Sequence, residues 1–410
     1  MRPKGRGVWN PAFVLVVAIS FASCLSFHGL NSGTTVYLSL VGGSTAFADV
    51  LAALYSVAAG VARMALGPVI DRRGRAAVMS VGAASFFLGA VLAGLSQGGL
   101  ALVAGRALQG VGFGAITTAA ATAAADVLPE SRMGEGLGYY GLGNALSLSV
   151  GPALALFLVA ADPPETLFFA LAGLSVVVFV LTLFCRYERH PARLPETASY
   201  RERLRAGAEG KGREACPERG VRRFFESRAL CGALPMMFMS AANGFSVFFA
   251  GLYGTSLGLA NAGLYFTLSA ASMVVVRLKS KAYMDRVLPI KVFTVAVGTG
   301  LAGLALLLAA PALPWLFYVA GLLYGFSLGI TLPLNQSVAV KNTPVGRWGA
   351  GNALFLLASD VGVACTCVLW GVVNDAFGFW AAIAGAMACM AVAYALAWAV
   401  YPPWAKRPAS

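Results

Sequence analysis

Between two apolar stretches, at 46–69 and 76–96, the chain reads Gly67-Pro68-Val69-Ile70-Asp71-Arg72-Arg73-Gly74-Arg75. A helix of about 20 apolar residues spans the roughly 30 Å hydrocarbon core of a bilayer, so each stretch predicts a membrane-spanning helix. The polar connection is short, and Gly74 permits the backbone conformations of a tight turn. The segment therefore predicts two antiparallel spans that meet on one side of a membrane.

The composition extends this interpretation to the whole chain. Of its 410 residues, 59% are hydrophobic and 11% are charged, whereas about 25% are charged in an ordinary soluble domain. The polar residues are too few to cover a soluble protein, so lipid must cover most of the exterior. We predict twelve spans, at 11–36, 46–69, 76–96, 100–124, 135–160, 165–185, 229–253, 259–283, 290–310, 314–340, 347–372 and 377–401.

The net charge of +13 is confined to one side of these spans. With the N-terminus in the cytoplasm, no Lys or Arg falls in an outward loop, and the outer segments carry acids such as Asp162, Glu165 and Asp375. This is the positive-inside rule, and it predicts a multi-pass protein of the bacterial cytoplasmic (inner) membrane with both termini in the cytoplasm. It also disfavours a nucleic-acid-binding surface. The spacing of the cysteines and two histidines predicts no metal site.

The polar segment 186–228, with twelve basic and seven acidic residues, divides the chain. We predict an N-terminal six-helix half at 1–185, a cytoplasmic linker at 186–228 and a C-terminal six-helix half at 229–410.

The two halves repeat each other in sequence. One constant shift along the chain aligns Arg63 with Arg277 and Asp71 with Asp285. A shift longer by a single position aligns further pairs, namely Gly110 with Gly325, Gly114 with Gly329, Pro129 with Pro344, and Arg132 with Arg347. Parallel six-helix repeats are an architecture of membrane transporters.

The turn at 67–75 resembles the loop signature of the major facilitator superfamily, and the resemblance covers the entire chain. Arg106-Ala107-Leu108-Gln109-Gly110-Val111-Gly112 is similar to the family's fourth-helix motif. Gly151-Pro152 is similar to the fifth-helix motif of antiporting exporters, although 153–155 lack its trailing glycine pair. The resemblance implies an all-α membrane protein with twelve transmembrane helices in two pseudo-symmetric six-helix bundles, and it points to the drug and metabolite efflux branches.

By analogy with the family, Asp71 accepts hydrogen bonds from free amides at the start of the eleventh span, near Arg347, where the helix dipole favours an anion. This contact would be a conformational latch, with these members: Gly67, Asp71, Arg72, Gly74 and Arg75. The alternative is a basic turn that serves topology alone.

In the fifth span, Gly143, Ser147 and Gly151 recur every four residues, a pattern that lets helix backbones approach closely. Pro152 adds a kink. Both helix packing and gating remain open as roles for these positions.

Polar faces within apolar helices indicate a cavity. The family resemblance implies that spans 1, 4, 7 and 10 line it, and the polar faces occur on these four. The predicted cavity residues are His28, Asn31, Thr35, Arg106, Gln109, Phe113, Asn243, Tyr324, Thr331 and Asn335.

Two charged residues lie inside the predicted spans. Asp360 is near the middle of the eleventh span, where loss of water penalises the ionised carboxylate, a setting that suits a proton carrier or a cation ligand. Arg106 lies about six residues inside the fourth span. We predict that both take part in proton coupling; a structural role is the alternative for each.

We therefore expect a secondary active transporter that moves a small organic molecule or drug outward by alternating access, as a proton antiporter and as a monomer in the lipid bilayer. No segment resembles a nucleotide-binding loop, so the proton gradient is the expected energy source and no cofactor is predicted. A proton-coupled importer of a sugar, organic acid or other nutrient is the first alternative. A receptor or enzyme is disfavoured, because no nucleophile–base pair or metal-ligand cluster emerges.

Overall fold

In the computed structural model, the described residues are 8–40, 45–96, 99–159, 163, 165–189, 225–259 and 261–406. They form helices and turns without strands. The α-helices are α1 (Pro11–Leu40), α2 (Thr45–Arg73), α3 (Arg75–Leu95), α4 (Leu100–Val127), α5 (Met133–Val159), α6 (Thr166–Phe184), α7 (Leu230–Phe248), α8 (Ala250–Ser256), α9 (Leu264–Leu278), α10 (Pro289–Ala309), α11 (Leu316–Asn342), α12 (Trp348–Phe377), α13 (Phe379–Val400) and α14 (Pro403–Lys406).

Ten helical segments of the described chain are long and apolar enough to cross a bilayer. They coincide with ten of the twelve predicted spans, and α7 and α8 together make up the seventh. The other two predicted spans correspond to α5 and α9. Helix α9 has only 15 residues, or about 22 Å of length, because it gives way at Lys279 to a 3₁₀ turn, Ser280–Ala282.

The chain divides into two compact units. Unit 1 contains Met1–Glu130, Gly143–Glu226 and Pro344–Ala353, and unit 2 contains Ser131–Leu142, Ser227–Thr343 and Leu354–Ser410. The start of α12 thus belongs with the first-half helices, and the start of α5 with the second-half helices. Most of the predicted linker, residues 190–224, lies outside the described residues.

The same helix pairs form in both units. In unit 1, α4 packs against α1, α2 and α3, and α6 packs against α1 and α3. In unit 2, α11 packs against α7, α9 and α10, and α13 packs against α7 and α10. These pairs correspond one to one under the sequence repeat, so the repeat is a repeat of packing as well.

Glycines at equivalent positions allow two of these pairs to touch through their backbones. A methyl group on Gly110 of α4 would collide with the carbonyl oxygen of Tyr55 on α2. A methyl group on Gly325 of α11 would collide with the carbonyl oxygen of Ser269 on α9. Small residues at such crossings permit the close helix contacts typical of membrane proteins.

Candidate functional site

In unit 1, Asp71 near the end of α2 binds the start of α12. Its Oδ1 accepts a hydrogen bond from the Gly349 amide (2.8 Å), and its Oδ2 accepts one from the Ala350 amide (3.1 Å). The first amides of a helix have no partner within that helix, and the helix dipole favours an anion there. This is the contact expected from the family resemblance; its role as a latch stays a prediction.

Glycines on both sides bring the two helices this close. A Cβ atom on Gly67, one turn before Asp71, would lie 3.1 Å from the Ala350 Cα and 3.0 Å from the Ala353 Cβ. A Cβ atom on Gly349 would lie 2.7 Å from the Gly67 carbonyl oxygen. Larger residues at either position would separate Asp71 from the amides that it binds.

Arg75, the last residue of the signature, is completely buried and lies beside two acids. Its Nε is 2.6 Å from Oδ2 of Asp126, at the end of α4, and its Nη2 is 3.9 Å from Oδ1 of Asp71. The Tyr187 hydroxyl donates a hydrogen bond to Asp126 Oδ2 (3.0 Å). A buried charge is tolerated where it is paired, so Arg75 connects the Asp71 contact to α4.

The turn between α2 and α3 requires glycine for two reasons. Gly74 has a φ of 94°, a conformation that L side chains rarely adopt. A Cβ atom there would also lie 3.0 Å from both oxygens of Glu188. The Glu188 carboxylate accepts hydrogen bonds from the amides of Arg75 (2.8 Å) and Ala76 (3.2 Å), the first residues of α3. Arg72 is exposed at the end of α2.

Asp126, Tyr187 and Glu188 were not among the predicted site residues. Asp126 gave one signal in the sequence, as an acid immediately after the long apolar run of the fourth span. Tyr187 and Glu188 gave none, because they lie within the charged start of the predicted linker.

Unit 2 contains the counterpart of the Asp71 contact. Asp285 accepts hydrogen bonds from the amides of Gly134 (3.1 Å) and Glu135 (2.8 Å), at the start of α5. Lys341 Nζ lies 2.9 Å from Asp285 Oδ1. The shift that aligns Gly110 with Gly325 also aligns Asp126 with Lys341. Unit 2 thus has the base Lys341 where unit 1 has the acid Asp126. Lys341 forms an ion pair with the Asp285 carboxylate directly.

The aligned arginines Arg132 and Arg347 have different acidic partners. Arg132 donates two hydrogen bonds of 2.7 Å to Glu135, on the helix that follows it. This hydrogen-bonded carboxylate stabilises the charged guanidinium and raises the pKa of Arg132. Arg347 Nη1 is instead 2.8 Å from Oε2 of Glu226, close to the end of the predicted linker. This ion pair therefore holds the C-terminal end of the predicted linker beside the start of α12.

The predicted cavity residues of α4 lie in a buried cluster within unit 1. The Arg106 guanidinium carbon is 4.6 Å from the centre of the Tyr55 ring, and its Nη1 donates to Gln109 Oε1 (3.1 Å). Phe113 stacks on Phe27 of α1, with ring centres 4.6 Å apart. The structure thus brings together the three predicted residues of α4 and adds Tyr55 and Phe27.

The predicted residues of α1 are only partly described. His28 Nε2 donates a hydrogen bond to Asn144 Oδ1 on α5 (3.2 Å). The side chains of Asn31 and Thr35 lie outside the described part of the chain.

The small-residue face of α5 lies against α1. A Cβ atom on Gly143 would lie 3.2 Å from the Phe21 Cβ, and one on Gly151 would lie 2.8 Å from the His28 Cβ. Ser147 is buried and donates a hydrogen bond to the Asn144 carbonyl (2.9 Å). Close packing is therefore present at this face. The side chain of Pro152 lies outside the described residues.

In unit 2, Tyr324, Thr331 and Asn335 of α11 are buried. Asn335 donates a hydrogen bond to the Thr331 carbonyl (2.8 Å) and accepts one from the Tyr401 hydroxyl (2.8 Å), so its amide takes part in the packing of this unit. Asn243 of α7 is half-buried.

Asp360 is half-buried on α12 in unit 2. The residue before it, Ser359, shares a 2.8 Å hydrogen bond with Ser240 of α7, hydroxyl to hydroxyl. Trp370 Nε1 donates to the Ala241 carbonyl on the same helix (3.0 Å). These contacts hold α12 against α7 on both sides of Asp360 along the chain.

Comparison with known proteins gives the family. The family model described as Major Facilitator Superfamily matches residues 15–347. A multidrug resistance protein, MdtL of Salmonella paratyphi B, is 25% identical over 316 residues, 77% of this chain and 74% of the relative. A proton:xylose symporter, XylE, has a TM-score of 0.75 at 13% identity and 95% and 96% coverage of the two chains. The human organic anion transporter MFSD10 has a TM-score of 0.69 at 16% identity, covering 95% and 100%.

These structural likenesses confirm the predicted fold of twelve helices in two repeated halves. Proteins of this family bind small molecules within a membrane and are not enzymes, which agrees with the prediction from sequence. The chain therefore belongs to the Major Facilitator Superfamily and is a multi-pass membrane transporter.

Proposed function

We propose that this protein exports a small organic molecule in exchange for protons, as a monomer in the bacterial cytoplasmic membrane with both termini in the cytoplasm. The export direction is supported by the name of the multidrug resistance relative and by the Gly151-Pro152 pattern of α5. The alternative is proton-coupled import of a nutrient, since XylE is a symporter; that likeness bears on the fold alone.

The observation that carries the proton coupling is the position of Asp360. It lies twelve residues after the first residue of α12, or about 18 Å along the helix axis, and the middle of a hydrocarbon core is about 15 Å from its edge. The side chain is half-buried. A carboxylate that loses water is penalised in its ionised form, so a change of hydration during the cycle would load and release a proton. Arg106 is the second proposed coupling residue.

In this proposal, Asp71 and Asp285 are latches that hold one conformation. Each carboxylate joins a turn in one sequence half to the start of a helix in the other half. Few hydrogen bonds make each contact, so each can break and re-form as the protein changes state. The loop glycines, Arg72 and Arg75 support the first latch.

The test is transport by purified protein in liposomes under an imposed pH gradient, across a panel of dyes, antibiotics and metabolites. Asp360→Asn should abolish proton-driven uphill movement but retain downhill exchange, and substrate binding should lose its pH dependence. Asp375→Asn is the matched control, because Asp375 is an exposed acid near the far end of the same helix; it should behave like the parent.

Two results would contradict the proposal. If Asp360→Asn pumps uphill with the parent's pH profile, Asp360 is structural, and coupling must be sought at His28, Asp49 or Glu135. If the parent moves substrate in the same direction as protons, the protein is an importer on the same fold.

A further inference from the structure

Exposed cations are concentrated at the connection between α9 and α10 in unit 2. Lys279, Lys281, Arg286 and Lys291 lie within thirteen residues, and all four side chains are exposed. Among the described residues, none of the four forms an ion pair. Arg132 and Lys341 are each bound by an acid, whereas these four cations have no acidic partner in the part of the chain that the structure describes.

The last helix brings further groups to the same end of unit 2. Helix α14 packs against α10, and the ring centres of Tyr401 and Phe293 are 5.9 Å apart, which puts the end of α13 beside the first turns of α10. Trp404 and Lys406 of α14 therefore lie beside the first turns of α10, which carry Lys291. The side chain of Trp404 is 41% exposed.

At the corresponding end of unit 1, acidic side chains of the same unit bind the cation and the free amides. There Asp126 pairs with Arg75, and Glu188 binds the first amides of α3. Under the repeat, the matching positions of the second half hold Lys341 and Pro403, so a base and a neutral residue replace these two acids. Two described acids of this part of unit 2 are already bound, Asp285 by two amides and Lys341, and Glu135 by Arg132. The surface is thus left with positive charge that the described chain does not neutralise.

Apolar side chains are interspersed with these cations. Val275, Leu278 and Val287 are exposed, Leu278 by 56%. Long basic side chains can extend their charges toward lipid phosphates while apolar neighbours contact the acyl chains. A soluble polyanion would gain nothing from the apolar groups, so the mixture fits a lipid.

We propose that the α9–α10 basic surface, made of Lys279, Lys281, Arg286 and Lys291 with Trp404 and Lys406 beside it, binds the phosphate headgroup of an anionic phospholipid. Phosphatidylglycerol is the probe. At the usual contribution of one basic residue near an anionic lipid surface, removal of three cations should weaken binding roughly a hundredfold.

The experiment is native mass spectrometry of the purified full-length protein titrated with phosphatidylglycerol, with phosphatidylcholine as the zwitterionic comparison. The test variant is K281Q/R286Q/K291Q. The matched control is R73Q/R186Q/R189Q, which removes three exposed cations from the ends of α2 and α6 in unit 1. We expect the parent and the control to retain phosphatidylglycerol in preference to phosphatidylcholine, and the test variant to lose this preference.

The variant K281R/R286K/K291R changes the same three side chains but keeps their charges, and it should retain the lipid. Retention would show that the loss in the test variant comes from the removed charge and not from misfolding. Equal retention by parent and test variant would overturn the proposal, and so would an equal loss in the control. Displacement of the lipid by soluble glycerol phosphate at the same concentration would overturn it too, by showing a general phosphate site instead. Because no transport is measured, this result is independent of the proposed efflux.

Discussion

Replacement of Asp71 by Asn is the most direct test of the latch. The substitution keeps the size of the side chain but removes its charge and converts one acceptor oxygen into a donor NH₂ group. The Gly349 amide (2.8 Å) keeps an acceptor, while the Ala350 amide (3.1 Å) then faces a donor. Asn also loses the favourable interaction of an anion with the N-terminus of α12.

The size of the effect follows from these contacts. A hydrogen bond to a charged group contributes about 1.5–3 kcal/mol and a neutral one about 1 kcal/mol, and the interaction with the helix dipole adds about 0.3–1 kcal/mol. The latched state should therefore lose about 2 kcal/mol relative to the unlatched state, or roughly thirtyfold in their ratio. A state occupied half of the time would fall to about 3%, so turnover through it would fall about fifteenfold.

The assay compares parent and Asp71→Asn in proteoliposomes with an imposed pH gradient, together with substrate binding by calorimetry and protein yield. We expect transport to drop by roughly an order of magnitude, with binding and yield nearly unchanged, because Asp71 lies at the end of α2 and is not among the predicted cavity residues. Arg73→Gln is the control for charge and topology, since Arg73 is exposed beside the same turn; it should transport like the parent. Equal transport by Asp71→Asn and parent would refute the latch and leave only a topogenic role for the turn.

Two further predictions concern stability. Gly110→Ala should lower the free energy of unfolding by about 1–3 kcal/mol, because the added methyl group collides with the Tyr55 carbonyl oxygen. Gly298→Ala is the control at an open position of α10, and it should be neutral or slightly stabilising. Equal melting temperatures of the two variants in detergent would contradict the packing argument. Arg75→Gln should lower the free energy of unfolding by about 3–5 kcal/mol, because Asp126 stays buried without its cation. The double variant Arg75→Gln/Asp126→Asn should lose less stability than the sum of the two single variants. Strictly additive shifts in melting temperature would show that the pair does not interact.

The spans could be predicted from the sequence because the requirement is local. A bilayer demands about 20 apolar residues per helix whatever the neighbouring helices do, and ten of the predicted spans recur as long apolar helices of the described chain. The contact between Asp71 and the start of α12 was also predictable, since a family signature identifies the carboxylate and a helix start offers free amides. The length of α9 was not: the predicted span 259–283 runs past both ends of the helix Leu264–Leu278 and includes the 3₁₀ turn Ser280–Ala282.

The sequence by itself determined the membrane class, the twelve spans, the family and the two-fold repeat, because composition, hydrophobic length and motif spacing are written along the chain. Only the tertiary structure decided which side chains surround Arg75. Asp126 and Glu188 are 51 and 113 positions away from it along the chain, and no local pattern links them. It also decided that Lys341 pairs with Asp285, and that the four cations of the α9–α10 connection have no ion-pair partner among the described residues. Pairing between charges depends on distance in the folded protein, and helix packing alone sets that distance.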